Sequence, residues 1–138
     1  MAYEIRAHTA DVAVEAEGDT LGELFAAIAD GMAATMVDDV PADVGDRFEV
    51  SVTATDREAL LFDYLDELIF QRDVRNVMPV DNRATVNTTD DGGFELTGSA
   101  RGVPLEGLSA REVKAVTYAD MVVEETPSGW RGYVVLDV

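Results

Sequence analysis

The chain has 138 residues, 47% of them hydrophobic, with 28 acidic residues against 10 basic ones, a formal net charge of −18, one histidine and no cysteine. That length suits one domain with its own core, and 1–138 is read as a single domain. The composition excludes disulfides and thiolate metal sites, a membrane span of roughly 20 apolar residues, a signal peptide at the first residues, and the basic stripe that nucleic-acid binding demands. The expectation is a soluble, cytoplasmic protein with no membrane attachment and no direct nucleic-acid binding. The acids are spread along the chain, as in proteins of salt-loving (halophilic) microbes, where molar salt screens charges within about 3 Å.

Residues 3–7 and 11–17 read as two short strands, with Val12, Val14 and Ala16 sharing one face of the second. Gly18-Asp19 turns the chain. Thr20 and Glu23 form a capping box. The helix behind it carries Leu21, Leu24, Phe25, Ile28, Met32 and Met36 on one stripe and stops at Asp38 to Pro41. Phe48, Val50, Val52 and Ala54 alternate as a half-buried strand. A second capping box, Thr55 to Glu58, opens a helix with Leu61, Tyr64, Leu65, Leu68 and Ile69 on its inner face. Residues 76–82, with Pro79 inside, read as loop. Residues 84–89 and 94–101 are strands around the hairpin turn Asp90-Asp91-Gly92-Gly93. Residues 112–124 and 130–138 form a last hairpin around Thr126 to Gly129. In its second strand Trp130, Val134, Leu136 and Val138 face one way, and Arg131, Tyr133, Val135 and Asp137 the other.

The sum predicts an α+β fold: a two-layer sandwich with a mixed or mostly antiparallel sheet of about seven strands and two amphipathic helices.

Few residues stand out chemically. The one histidine, His8, lies in His8-Thr9-Ala10-Asp11, just before the alternating strand. The one lysine, Lys114, lies in Glu112-Val113-Lys114-Ala115-Val116-Thr117-Tyr118 and reads as mid-strand. Asp11 fits an Asx turn that starts a strand or an oxygen ligand for a hard cation. Asp137 fits an exposed edge acid or, with the carboxylate of Val138, a pair of donors for Ca²⁺ or Mg²⁺. Sequence spacing alone does not bring Asp11 to Asp137. There is no second histidine and no serine or cysteine elbow for a nucleophile triad, no phosphate-binding glycine fingerprint, and too few ligands for zinc. Asp38-Asp39 and Asp90-Asp91 read as turns on an acidic surface.

Taken in order, these segments resemble the archease family over nearly the whole chain. The resemblance rests on His8-Thr9-Ala10-Asp11 with its strand, Gly18-Asp19-Thr20-Leu21-Gly22-Glu23-Leu24-Phe25, Leu60 to Leu68, Glu112 to Tyr118, and the ending Trp130 to Val138. It implies an accessory activator of the RtcB-type RNA ligase of tRNA splicing, promoting the ligase's metal- and GTP-dependent guanylylation and its multiple turnover. It implies a protein cofactor rather than an enzyme. It also implies a divalent metal ion held by Asp11 and Asp137 with Val138 close by, Ca²⁺ foremost and Mg²⁺ or Mn²⁺ as alternatives. His8 and Lys114 would support that site or touch the partner. The family often has histidine where this chain has Ala119, and another in the loop before Glu112, where this chain has none; no proton-transfer role is assigned. Two rival readings are a metal-dependent phosphoester hydrolase and a general chaperone or modulator of nucleic-acid enzymes.

Overall fold

The computed structural model describes residues 3–7 and 11–138. The elements run β1 (Tyr3–Ala7), β2 (Asp11–Gly18), α1 (Leu21–Met36), β3 (Asp46–Ala54), α2 (Arg57–Arg75), β4 (Val77–Thr88), β5 (Phe94–Pro104), β6 (Ala115–Thr126) and β7 (Gly129–Asp137). Seven strands and two helices in the expected order make an α+β fold, and every strand pair is antiparallel. The strands divide between two sheets, ordered β1-β2-β7-β6 and β3-β5-β4, where the sequence suggested one. The last hairpin pairs with the first strands, which leaves the middle strands to form their own sheet.

The helices join the two sheets. α1 packs on β1, β2 and β7 of the first and on β4 of the second; α2 packs on β6 of the first and on all three strands of the second. α1 therefore buries most of its circumference, with Leu24, Phe25, Ile28, Met32 and Met36 joined by Ala26, Ala29 and Ala33. Its glycines let strands of both sheets approach the helix closely. A side chain at Gly22 would press on the backbone of Ala84 in β4, and one at Gly31 on Val14 and Tyr3. Among the described residues no helix is long and apolar enough to cross a membrane.

The caps follow helix-terminus chemistry with one shift. Thr20 Oγ1 accepts from Glu23 N at 3.1 Å, the first bond of a capping box, while Glu23 Oε2 reaches one residue past the cap and accepts from Asp19 N at 3.1 Å. At α2 the cap is Asp56, whose carboxylate accepts from Ala59 N at 2.7 Å, and not the expected Thr55. A carboxylate one residue on satisfies the orphan amide and adds charge at the positive end of the helix.

The supposed loop 76–82 is also different. Asn76 ends α2 in the left-handed region (φ 56), and β4 begins at Val77 with Pro79 inside it, opposite Gly102. β4 is an edge strand, where a missing N–H breaks no ladder bond. The strand bulges directly after, with Asp81 and Asn82 standing against Ala100 alone. The bulge is tied to α1: Asp30 Oδ1 accepts from Asn82 N at 3.0 Å and from Asn82 Nδ2 at 2.9 Å. Burial pushes the Asp30 carboxyl above the ordinary carboxylate range, and the Asn82 hydrogen bonds oppose the shift.

Two outcomes are expected. Alanine normally stabilises a helix interior by about 1 kcal/mol over glycine. Gly22→Ala should instead lose about 1 kcal/mol or more, because the new Cβ meets the Ala84 carbonyl, whose carbon would lie 2.9 Å away. A urea midpoint at or above the wild-type value would contradict this close approach. Asp30 has a raised folded-state pKa, so the stability it contributes is present at low pH and is lost as pH rises through that pKa. Asp30→Asn does not titrate, so its melting temperature should gain on the wild type as pH rises, while a gap independent of pH would contradict the burial of this charge.

Candidate functional site

Period-two alternation places Asp11 on the face of β2 opposite Val12, Val14 and Ala16, the residues turned to the helices. Asp137 has the same relation to Leu136 and Val134 in β7. The ladder then brings them together: β2 and β7 pair with Asp11 directly opposite Asp137, followed by Val12 with Leu136 and Val14 with Val134. On the other side Asp137 is paired with Ala115, the first residue of β6. Two carboxylates thus stand side by side on the face turned away from α1, with Val138 next in the chain and 42% exposed. Like charges directly opposite one another cost roughly 0.2–1 kcal/mol in a sheet.

The same face shows how an acid pair is normally managed. Further along, Glu15 and Glu124 share Arg131, at 2.5 Å and 2.9 Å. Their contacts hold the Arg131 pKa above its ordinary value. Among the described residues no Arg or Lys forms an ion pair with Asp11 or Asp137, and Asp11 is only half-buried while Asp137 is exposed. Two hard oxygen donors without a protein cation suit a divalent ion. Among the described residues no cluster of three His, Cys, Asp or Glu side chains is gathered as a metal cage. A cation here would take its further oxygens from the main chain, from water or from a partner.

Lys114 lies at this end, but not as read from the sequence. It precedes β6 instead of sitting mid-strand, and its backbone N–H donates to Asp137 O at 2.8 Å. Its side chain is exposed, and its ammonium forms no ion pair with either carboxylate. The segment before it is pinned from below. Arg72 of α2, 8% exposed, donates from Nη1 to Val113 O at 3.2 Å, and Arg111 N donates to Met36 O at 2.6 Å. His8 lies outside the described residues. Arg131 was missed as a partner of acids; its place opposite Glu17 and Glu124 follows from the register and not from spacing.

At the acidic end Asp137 and Val138 are exposed and Asp11 is half-buried. Two hollows of about 430 and 420 Å³ lie elsewhere, one at the β4–β5 turn and one beside Asp30, and neither is lined by Asp11, Lys114 or Asp137. A small-molecule substrate is ordinarily enclosed.

Comparison with known proteins agrees with this architecture. The profile of the Archease protein family (MTH1598/TM1083) matches residues 3–138. "Protein archease" of Thermococcus gammatolerans is 36% identical over 140 residues, covering 99% of this chain and 98% of that one. The archease of Methanothermobacter thermautotrophicus is 35% identical over 132 residues, covering 94% of each. The solution structure of Methanobacterium thermoautotrophicum protein 1598 superposes with a TM-score of 0.82 at 34% identity, covering 99% of both chains. A Thermotoga maritima crystal structure, described as an archease and possible chaperone, shares the fold with a TM-score of 0.63 at 21% identity, covering 100% of this chain and 98% of that one. The chain belongs to the Archease family.

Proposed function

We propose that this protein is an accessory activator of an RtcB-type tRNA-splicing RNA ligase, and that it promotes the ligase's metal- and GTP-dependent guanylylation and its multiple turnover. Family membership supports the partner. The observation that carries the mode of action is the opposed pair Asp11 and Asp137, two carboxylates held in register without a cationic partner among the described residues.

The two side chains would hold a divalent cation, with main-chain oxygen of Val138 beside them; Ca²⁺ fits best, since it accepts an incomplete and flexible oxygen shell, with Mg²⁺ or Mn²⁺ as alternatives. Such a cation supplies positive charge where a triphosphate must be neutralised. The chain's own residues do the rest. The β2–β7 ladder fixes the carboxylate spacing, the Lys114 N–H to Asp137 O bond fixes the strand end, and the exposed Lys114 ammonium is free to reach a partner's phosphate or carboxylate. On this reading, which rests on family membership, the protein is a cofactor of the ligase and not itself a catalyst. The description of the Thermotoga relative as a possible chaperone also points toward a protein partner.

The test is guanylylation of the cognate ligase with labelled GTP in high salt, alone, with this protein, and with Asp11→Ala or Asp137→Ala. The expected result is faster labelling with the wild type, and a loss of roughly tenfold or more in that gain for each variant, about 1.4 kcal/mol of barrier. No effect of the wild type would overturn the partner, and full activity of both variants would overturn the acidic pair as its working part.

A further inference from the structure

α2 has a second line of apolar residues that runs from the core margin, where half-buried Phe62 packs, out to the surface. Its inner face, with Leu61, Tyr64, Leu65 and Leu68, is buried. Its outer face carries Phe62, Asp66, Phe70 and Val74 at successive four-residue steps, a single line along the helix. Phe70 is 56% exposed and Val74 63%. Tyr118, itself 55% exposed, extends the line from β6 by stacking on Phe62, with ring centroids 4.3 Å apart and planes 5° from parallel. Tyr118 can do so because β6 bulges there: Tyr118, Ala119, Asp120 and Met121 stand against Val134 alone, and Asp120 adopts a left-handed conformation (φ 57). Isolated exposed apolar residues are ordinary. A stacked aromatic pair continued by a phenylalanine and a valine, on a chain of net charge −18, is an organised patch.

We propose that this stripe, Phe62 and Tyr118 with Phe70 and Val74, is a docking surface for the ligase, holding it beside the acidic end; the proposal rests on the reading above. Two observations select the occupant. The first is charge. The stripe is flanked by exposed Asp63 and interrupted by exposed Asp66, while the three arginines of α2 are engaged elsewhere: Arg57 over the Trp130 ring, Arg75 over Phe48, and Arg72 buried with its Nε on Asp73 at 3.0 Å. An enzyme that grips RNA must present Lys and Arg to phosphates, so a basic-rimmed apolar patch on it complements this face. A second copy of this chain would meet acid with acid, and RNA itself would meet no cation. The second is continuity. Tyr118 and Lys114 belong to one short segment, Lys114 is hydrogen-bonded to Asp137, and Arg72 ties α2 to Val113 in the same segment. A protein seated on the acidic end therefore meets the α2 face as well. The stripe would supply affinity, and the carboxylate pair the activation.

The two roles separate in a titration. Ligase guanylylation is followed against rising concentrations of wild type, of Phe70→Ser/Val74→Ser, of Asp63→Lys/Asp66→Lys and of Asp11→Ala, each checked for an unchanged melting curve. Both stripe variants should reach the wild-type plateau but need at least about tenfold more protein for half effect. Asp11→Ala should keep the half-effect concentration and lose the plateau. An unchanged half-effect concentration for the stripe variants, with an active wild type, overturns the docking surface and leaves the activator reading standing. A wild type without effect overturns both. Sedimentation showing a wild-type dimer that the Phe70→Ser/Val74→Ser variant loses would assign the stripe to self-association and overturn the proposal.

Discussion

The ladder between β2 and β7 holds strands from opposite ends of the sequence in one register, and three inward-facing pairs fix it. Val14 stands opposite Val134, both at 0% exposure, Val12 lies opposite Leu136, and Ala16 lies opposite Gly132. A side chain at Gly132 would come within 2.7 Å of Ile28 in α1, so this row is packed without slack. A slip of one residue would turn Asp11 or Asp137 into the helix layer and Val14 or Val134 out of it. The cost of burying a charge far exceeds the roughly 0.2–1 kcal/mol of like-charge repulsion at the end of the ladder. Core packing therefore forces the two carboxylates together.

Electrostatics in so acidic a chain is decided by placement more than by number. Arg131 neutralises Glu15 and Glu124 on the outer face, Asp56 caps a helix, and Arg101 binds Asp81 while also donating to the Pro41 carbonyl. Arg111 holds the exposed Asp38 carboxyl below its ordinary range. These acids have structural partners. The Asp11–Asp137 pair differs in having a fixed mutual position and no basic partner among the described residues, which separates it from the solvated acids that keep such a surface hydrated. The outer line of α2 differs in the opposite sense, as apolar area where charge would be expected.

Much of this was legible in the sequence. The alternation in β2 and β7 gave the correct faces, Thr20 and Glu23 the first helix start, and Asp90 to Gly93 the central hairpin, because each depends on local periodicity or turn chemistry. The failures share a cause in distant context. Pro79 breaks a strand only if that strand is interior, and β4 is an edge. Asp56 outcompetes Thr55 as a cap only once the direction of the chain out of β3 is set. Lys114 lies before β6 because Val113 and Arg111 are held by Arg72 and Met36 from two other elements. The pairing of Asp11 with Asp137 needed the topology itself; their side-chain parity was readable, but their meeting was not. Tyr118 reaches Phe62 only through a bulge that no turn residue announces.

The proposed cation site is the ladder end and not the acidic surface at large. Amide NMR spectra recorded during a Mn²⁺ titration in high monovalent salt address it directly, since the paramagnetic ion broadens the signals nearest to it. The account predicts that Asp11, Val12, Lys114, Asp137 and Val138 broaden first, at substoichiometric ion, while the acidic turns at Asp38-Asp39 and Asp90-Asp91 stay sharp. Broadening at those turns in parallel with the ladder end, or none at the ladder end, would contradict it.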